Sequence, residues 1–367
     1  MTTERVKVAV LGGGPAGSAT ALRLGQLGVS NVLLAEASCF EAERIGESLP
    51  PDTRKLLGRL GVLEPFLAEG HETCAGSCSS WGNRELGWND FLVHPYGRGW
   101  HLDRRRFDAF LARQAEKQGA RLRKGWCFRS ARRIANGFRL RFQTDAGARR
   151  VEAQVVVDAT GARARFARRL GIERVVDDRL VTLAAVFSKV DLERLGAYTL
   201  LESTPYGWWY AARLPRGRAM VAVTTDSKNC KERDLRNPRS WLCHLAETDH
   251  LSSRLLRAWG PSDFAPHAAL TSRLSCSGGA SWLAVGDAAW TSDPLAAQGI
   301  HRALASGLAA GDVIVQRLRG EIESLAVHGE RWNLGYGAFL RLREHLYAQE
   351  QRWPDESFWS ARRGARA

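Results

Sequence analysis

The groups with the clearest chemical capacity are three glycines and two carboxylates. Gly12, Gly14 and Gly17 stand at G-x-G-x-x-G spacing in Gly12-Gly-Gly-Pro-Ala-Gly17, and Glu36 follows about 20 residues later. At this spacing Gly12 permits a tight turn, Gly14 lets a pyrophosphate approach the backbone, and Gly17 lets a helix pack closely on a strand. The free N–H groups at the helix start then face an anion, and Glu36 is placed to accept from an adenosine ribose hydroxyl. A late acid, Asp287, ends the run Leu283-Ala-Val-Gly-Asp287. The front loop does not separate FAD from NAD, since both carry ADP. A carboxylate so far down the chain suits the longer cofactor, whose sugar chain needs contacts distant in sequence.

These groups need rigid carriers. Val6 to Leu11 is a β-branched and apolar run, expected as a central parallel strand buried on both faces. Ser18 to Leu27 carries helical apolar spacing, and Asn31 to Glu36 reads as the next strand. Val155-Val-Val-Asp-Ala-Thr-Gly161 is another buried strand entering a glycine turn, and residues 283–287 are a third such junction. A long Ala-rich helix from about Gly299 points its positive N-terminal end toward the cofactor. Residues 180–225 alternate apolar and polar, which predicts a sheet lobe. In it Leu214-Pro-Arg-Gly-Arg218 is the turn between Trp208–Arg213 and Ala219–Thr225. Trp208, Trp209 and Tyr210 then project to alternate faces, so at least one ring can meet a substrate while the others pack. Trp208 is the candidate.

Composition narrows the field. At 367 residues the chain can form two or three lobes around a sizeable core. The formal charge is +14, and residues 103–169 hold 19 Lys/Arg against 6 Asp/Glu, so an acidic partner surface or a phosphate-rich cofactor fits. Nucleic acid is set aside, because no zinc knuckle, helix-turn-helix pattern or basic tail occurs. The seven cysteines are scattered, and Cys74 and Cys78 form only a C-x3-C pair, which supports neither a disulfide framework nor a metal site. A reduced, cytoplasmic setting follows. Residues 1–5 carry no signal-peptide pattern. No apolar run approaches the ~18 to 20 residues of a membrane helix.

In order and spacing, Gly12-x-Gly-x-x-Gly17, Asp158-Ala-Thr-Gly161 and Gly286-Asp287 followed by Asp293-Pro-Leu resemble the flavin monooxygenases of the para-hydroxybenzoate hydroxylase fold and the flavin-dependent halogenases. The resemblance covers nearly the whole chain. Gly46-Glu-Ser-Leu-Pro50 is similar to the loop that lies against the flavin in the halogenase branch. Trp100-His-Leu-Asp-Arg104 is similar to the helix start whose first Arg lies near the cofactor. More narrowly, Ser80-Trp-Gly82, Gly207-Trp-Trp-Tyr210, Gln351-Arg-Trp-Pro, Phe358-Trp359 and Arg362-Arg363 are similar to the LodB/GoxB-type flavoproteins, members of which help mature a partner enzyme's tryptophan-derived quinone cofactor.

The resemblance implies an α/β fold with a discontinuous Rossmann-like FAD-binding domain (1–75, 98–175 and 270–320). A β-sheet substrate domain (76–97 and 176–269) and a C-terminal helical segment (321–367) complete it. FAD would be bound without a covalent tether, by Gly12, Gly14, Ala16, Gly17, Glu36, Arg44, Ser48, Arg104, Asp158, Gly161, Gly286, Asp287, Pro294, Gly299 and Ile300. Electrons would come from NAD(P)H or from a separate flavin reductase.

Two departures from the halogenases decide between activities. Ala296 and Ala297 stand where those enzymes carry a Glu and a Ser, and Cys74 to Trp81 holds no Lys where theirs handles hypohalous acid. A methyl group neither orients a halogenating species nor accepts a proton. The residues therefore argue against halogenation and for FAD-dependent hydroxylation of an electron-rich aromatic, which asks the fold only to position the substrate and exclude water. A tryptophan side chain of a partner protein is the candidate substrate. A small or carrier-bound natural product, or a flavin-bearing assembly role, are the alternatives. Glu47 beside the flavin, His301 opening the helix that faces it, and Trp208 are the candidate catalytic groups, with His71 and His101 in neighbouring loops. The sequence sets no oligomeric state.

Overall fold

The computed structural model describes residues 3–42, 44–255 and 259–363. Its first sheet has a parallel core in the order Arg121–Arg123, Val32–Ala35, Glu4–Leu11, Gly147–Asp158 and Trp282–Ala284. Val8 pairs with Val32 on one side and with Val155 on the other. Helices or sheet cover both faces, so Val8, Val10, Val155 and Val157 are wholly buried and the strands carry apolar residues without alternation.

The helix Pro15–Gln26 leaves the glycine turn and packs on the long helix Gly299–Leu318. Small residues make this crossing close. A Cβ at Gly307 would stand 2.3 Å from the Ala16 carbonyl oxygen, and one at Gly311 would stand 2.5 Å from Arg23 Cγ. The late helix Gly299–Leu318 is thus fixed to the helix that follows the first turn at backbone distance.

The long strand Gly147–Asp158 continues into an antiparallel meander with Gly137–Thr144 and Cys127–Ile134. Phe128, Phe138, Leu140 and Phe142 are buried beneath it, while Arg132, Arg139, Arg141 and Arg150 are exposed. Much of the basic stretch from 103 to 169 is this solvent side.

Among the described residues the second sheet is eight-stranded, in the order Trp290–Thr291, Trp259–Leu274, Arg174–Ser188, Arg218–Asp226, Gly207–Leu214, Tyr198–Thr204, Gly76–Ser80 and Gly87–Asp90. Its hairpin closes as expected at Leu214 and Arg218, with Arg216 and Gly217 both at positive φ, 69° and 67°. Alternation along Gly207–Leu214 sends Trp209 into a core against Trp241, ring centroids 4.9 Å apart, and sends Trp208 and Tyr210 to the opposite face. A small third sheet pairs Ser48–Leu49 and Glu72–Cys74 with Gly99–His101, which fixes the Gly46–Pro50 loop.

The C-terminal helix Ser324–Ala348 is followed by a turn of helix, Ser357–Ser360, that buries Phe358 and Trp359 beside Trp208 and Leu180. Among the described residues no helix is long and apolar enough to cross a membrane. No group of three or more His, Cys, Asp or Glu among them could hold a metal ion.

Candidate active site

Residues from both large sheets line one cavity of about 1600 Å³. At one end is the glycine turn. Gly12 has φ +114°, and a Cβ there would lie 2.2 Å from the Ala159 carbonyl oxygen; a Cβ on Gly17 would lie 1.9 Å from the Gly12 oxygen. Both positions exclude any side chain because backbone already fills the space. Gly14 differs, since the nearest atom to its Cβ position is Arg44 Nη1 at 3.8 Å, and the open side is the cavity.

Glu36 is buried at the adjoining wall and already organises the turn. Its Oε2 accepts from the Gly13 amide at 2.7 Å, and its Oε1 accepts from the Ser38 amide and hydroxyl at 2.8 and 2.7 Å. Carboxylate oxygens have lone pairs to spare for a ribose hydroxyl. Arg44 is held at the rim by Asp108 at 3.0 Å. An open amide turn at a helix N-terminus, a buried acid beside it and a basic side chain above it fit the ADP portion of FAD.

Farther along, Arg104 binds Asp108 and the carbonyl oxygen of Ile45 at 2.7 Å, so it clamps the Gly46–Pro50 loop at the wall. Ser48, Pro294, Gly299 and Ile300 also line the cavity, as do Trp208 and Tyr210. Asp287 lines it with a half-exposed side chain, one oxygen held by Arg302 at 2.7 Å. FAD, when bound here, would supply the redox and oxygen-activating chemistry; the surrounding side chains hold it, orient substrate and handle protons.

The structure moves four of the expected residues, His301, Asp158, Gly286 and Gly17, away from the wall. His301 follows Ile300 by one helical step, which turns it from the cavity, and its Nδ1 lies 3.0 Å from Thr53 Oγ1. Asp158 is fully buried, and its carboxylate is consumed by Thr160 and by the amides of Phe166 and Ala167, so Ala159, Thr160 and Gly161 present the surface instead. Gly286 supports the turn through packing, since a Cβ there would meet Ala16 Cβ at 2.8 Å. Gly17 has the same supporting role against Gly12. Of the neighbouring histidines, His71 accepts from the Asp103 amide and stacks on Phe66, and burial pushes its pKa down to about 4. Cys74 and Cys78 are free and buried.

Glu47 is the chemically unusual group on the wall. It is 2% exposed, Tyr210 donates to its Oε2 at 3.0 Å, and its Oε1 has no partner. Burial pushes its pKa up to about 7, against the opposing pull of the Tyr210 hydrogen bond and the Arg104 charge. A carboxyl near neutrality can both take and give a proton. Burial and the Glu47 carboxyl hold the Tyr210 hydroxyl well above its ordinary range, so Tyr210 acts as a neutral donor. Burial, reinforced by the Arg213 charge, takes His101 down to about 3 and keeps it neutral.

Sequence reasoning singled out Glu47 but missed what surrounds it. Thr199 carried no motif and is brought in by sheet pairing, where Tyr198–Thr204 runs parallel to Gly76–Ser80. Tyr210 was legible only as one ring of an aromatic run; its place opposite Trp209 gave the face but not the partner. Arg302 stacks on Trp290 at 3.8 Å from the ring centroid while holding Asp287, a pairing with no local signature.

A nucleotide turn at one end of a cavity shared by two sheets fits a dinucleotide-dependent oxidoreductase. The FAD binding domain family matches residues 5–325, and the chain belongs to it. The chain is 27% identical to LodB of Marinomonas mediterranea, named as an FAD-dependent oxidoreductase, over 98% of this chain and 97% of LodB. It superimposes on the myxobacterial chondrochloren halogenase CndH with a TM-score of 0.89 at 25% identity, covering 98% of this chain and 86% of CndH. It superimposes on the peptidyl tryptophan dihydroxylase QhpG, essential for tryptophylquinone cofactor biogenesis, with a TM-score of 0.79 at 26% identity, covering 99% of this chain and 79% of QhpG. The protein is therefore an FAD-dependent oxidoreductase of the superfamily that contains flavin monooxygenases and halogenases.

Proposed function

We propose that the protein is an FAD-dependent monooxygenase that hydroxylates an electron-rich aromatic ring, with a tryptophan side chain of a partner protein as its substrate. The observation that carries the reading is the make-up of the wall beyond Gly46. A near-neutral carboxyl, Glu47, bonded to Tyr210, lines the same cavity as Trp208, Met220 and Ala222, and none of the described residues lining the cavity is a lysine. An aromatic ring can stack or pack there, and a proton acceptor is at hand, but the ammonium and the polar pair that halogenation asks for are missing. Ala297 lines the cavity with a methyl group. The likeness to QhpG over almost the full chain supports a peptidyl tryptophan as the substrate and quinone-cofactor maturation as the setting.

The test is turnover with FAD, oxygen, bromide and an electron source, supplied as NAD(P)H in one arm and as a flavin reductase in another. A tryptophan-containing precursor protein is compared with free tryptophan. Mass spectrometry is expected to show oxygen added to the protein substrate and no bromine. A brominated product would overturn the hydroxylase reading, and preference for free tryptophan would overturn the macromolecular substrate.

A further inference from the structure

Five side chains meet in one hydrogen-bonded line that runs from Glu47, Ser48 and Tyr210 on the cavity wall to the buried Thr199 and His101. Tyr210 donates to Glu47 Oε2 at 3.0 Å, and Ser48 Oγ lies 3.2 Å from the Tyr210 oxygen. Ser48 Oγ is also 2.9 Å from Thr199 Oγ1, which is 2.9 Å from His101 Nε2. The line is open at both ends, because Glu47 Oε1 and His101 Nδ1 are buried atoms without partners.

With Glu47 ionised, the direction of the line follows from counting hydrogens. Each hydroxyl donates once. Since Tyr210 gives its hydrogen to Glu47, Ser48 must donate to Tyr210, Thr199 to Ser48, and His101 Nε2–H to Thr199. Every donor points toward the Glu47 carboxyl, and successive hydrogen bonds in a low-dielectric interior polarise one another.

We propose that this line is a proton-handling unit in which Glu47 accepts the proton released from the aromatic ring, and Tyr210, Ser48, Thr199 and His101 are positioning residues that set its readiness to do so. The proposal rests on the hydroxylase reading. Overall, ring C–H, O2, two electrons and two protons give ring C–OH and water, with the electrons delivered through FAD. At the ring, the carbon that has gained the C–O bond still carries its hydrogen. The C–H bond then breaks, its electron pair returns to the ring, and the proton passes to Glu47 Oε1.

Other charges act on both ends of the line. Arg104 faces Glu47 from the helix Arg104–Lys117 and favours the carboxylate. At the far end Arg213 acts on His101, Glu72 is its backbone register neighbour on the adjacent strand, and Cys74 Sγ lies 3.8 Å from Thr199 Oγ1. Burial and the Arg213 charge keep His101 neutral, so it contributes an N–H donor rather than a cation.

Infrared difference spectroscopy of the FAD-loaded protein against pH reads the Glu47 carboxyl band without turnover. The band is expected to titrate near pH 7 and to be absent in Glu47→Gln. Donors to a carboxylate favour its charged form, so shortening the line should move the midpoint alkaline, by about half a pH unit in Thr199→Val and about one in Tyr210→Phe. Thr199→Ser should restore it. The pH dependence of kcat should move in the same order. Midpoints unchanged in both Thr199→Val and Tyr210→Phe would overturn the proposal. Midpoints that move as expected in a protein that hydroxylates no aromatic would instead overturn the function, and with it the assignment of the ring proton.

Discussion

Trp208 Nε1 donates to the Tyr347 hydroxyl at 3.1 Å, and that hydroxyl donates to Asp293 Oδ2 at 2.8 Å. The aromatic wall of the cavity is thereby joined to the C-terminal helix and to the Asp-Pro-Leu turn that precedes the long helix. Asp293 also takes Arg343 Nε at 3.1 Å and caps the Leu295 amide at 3.0 Å. Tyr347→Phe keeps the ring but strands a buried indole donor and removes one of the donors to a buried carboxylate. An unmet buried polar group costs about 1–3 kcal/mol, so unfolding by denaturant should show a loss of about 2 kcal/mol with FAD content unchanged. Substrate KM should rise because Trp208 loses the bond that fixes its indole. Unaltered stability and KM would show that the tail only covers the sheet.

The glycine turn allows a clean separation of folding from cofactor binding. Gly17→Ala would force a methyl group to 1.9 Å from the Gly12 oxygen, where only backbone movement can relieve it. Gly14→Ala meets nothing closer than Arg44 Nη1 at 3.8 Å, and its methyl group projects where a pyrophosphate would approach. Gly17→Ala is expected to unfold at markedly lower denaturant. Gly14→Ala should melt like the parent protein without cofactor while binding FAD at least ten-fold more weakly by fluorescence titration. Equal FAD affinity in Gly14→Ala and the parent would remove the turn from the binding site.

His301 supplies the complementary case, a residue the sequence placed beside the flavin and the fold turns aside. With Nδ1 near Thr53 Oγ1 and no place on the cavity wall, it has a packing role. His301→Asn should leave kcat within about two-fold, while Glu47→Gln should lower it at least ten-fold, general-base contributions being about 10² to 10⁴. Loss of activity in His301→Asn comparable with that in Glu47→Gln would return His301 to the site.

Which parts of the site were legible follows from the range of the forces that place them. The Gly12–Gly17 turn, Glu36 and the strand run at Val6 were readable because turn, helix and strand are set within a few dozen residues by sterics and burial. The two faces of Trp208 and Trp209 were readable for the same reason, from the period of a strand. His301 was misplaced because a helix rotates by about 100° per residue, and motif spacing does not resolve which of two adjacent residues faces in. Asp158 was misread because the amides that consume its carboxylate belong to the following helical turn, whose start carries no side-chain cap to announce it. Thr199 and Tyr347 could not be found at all. Each reaches the site through pairing of segments more than a hundred residues apart, which register and packing determine and local composition does not.

Stability against pH offers a test of Glu47 that needs no substrate. The folded protein holds this carboxyl at about 7, above its ordinary 4.5, so its stabilising contribution is complete below pH 4.5 and is lost as pH rises through 7. His101 works in the opposite sense. Held at about 3 instead of 6.5, it contributes fully above pH 6.5 and loses that contribution as pH falls toward 3. The two slopes oppose each other between pH 4.5 and 6.5 and flatten the curve of the parent protein. Glu47→Gln removes only the first. Relative to the parent, the variant should gain up to about 1.4 kcal/mol per pH unit across this range, and should be the more stable of the two at pH 7.5 after starting level or below at pH 5. Denaturant titrations of both FAD-loaded proteins from pH 5 to 8 would measure the difference. A gap that does not change with pH would mean that Glu47 is ionised throughout, and the carboxyl would then be a fixed charge rather than a proton acceptor.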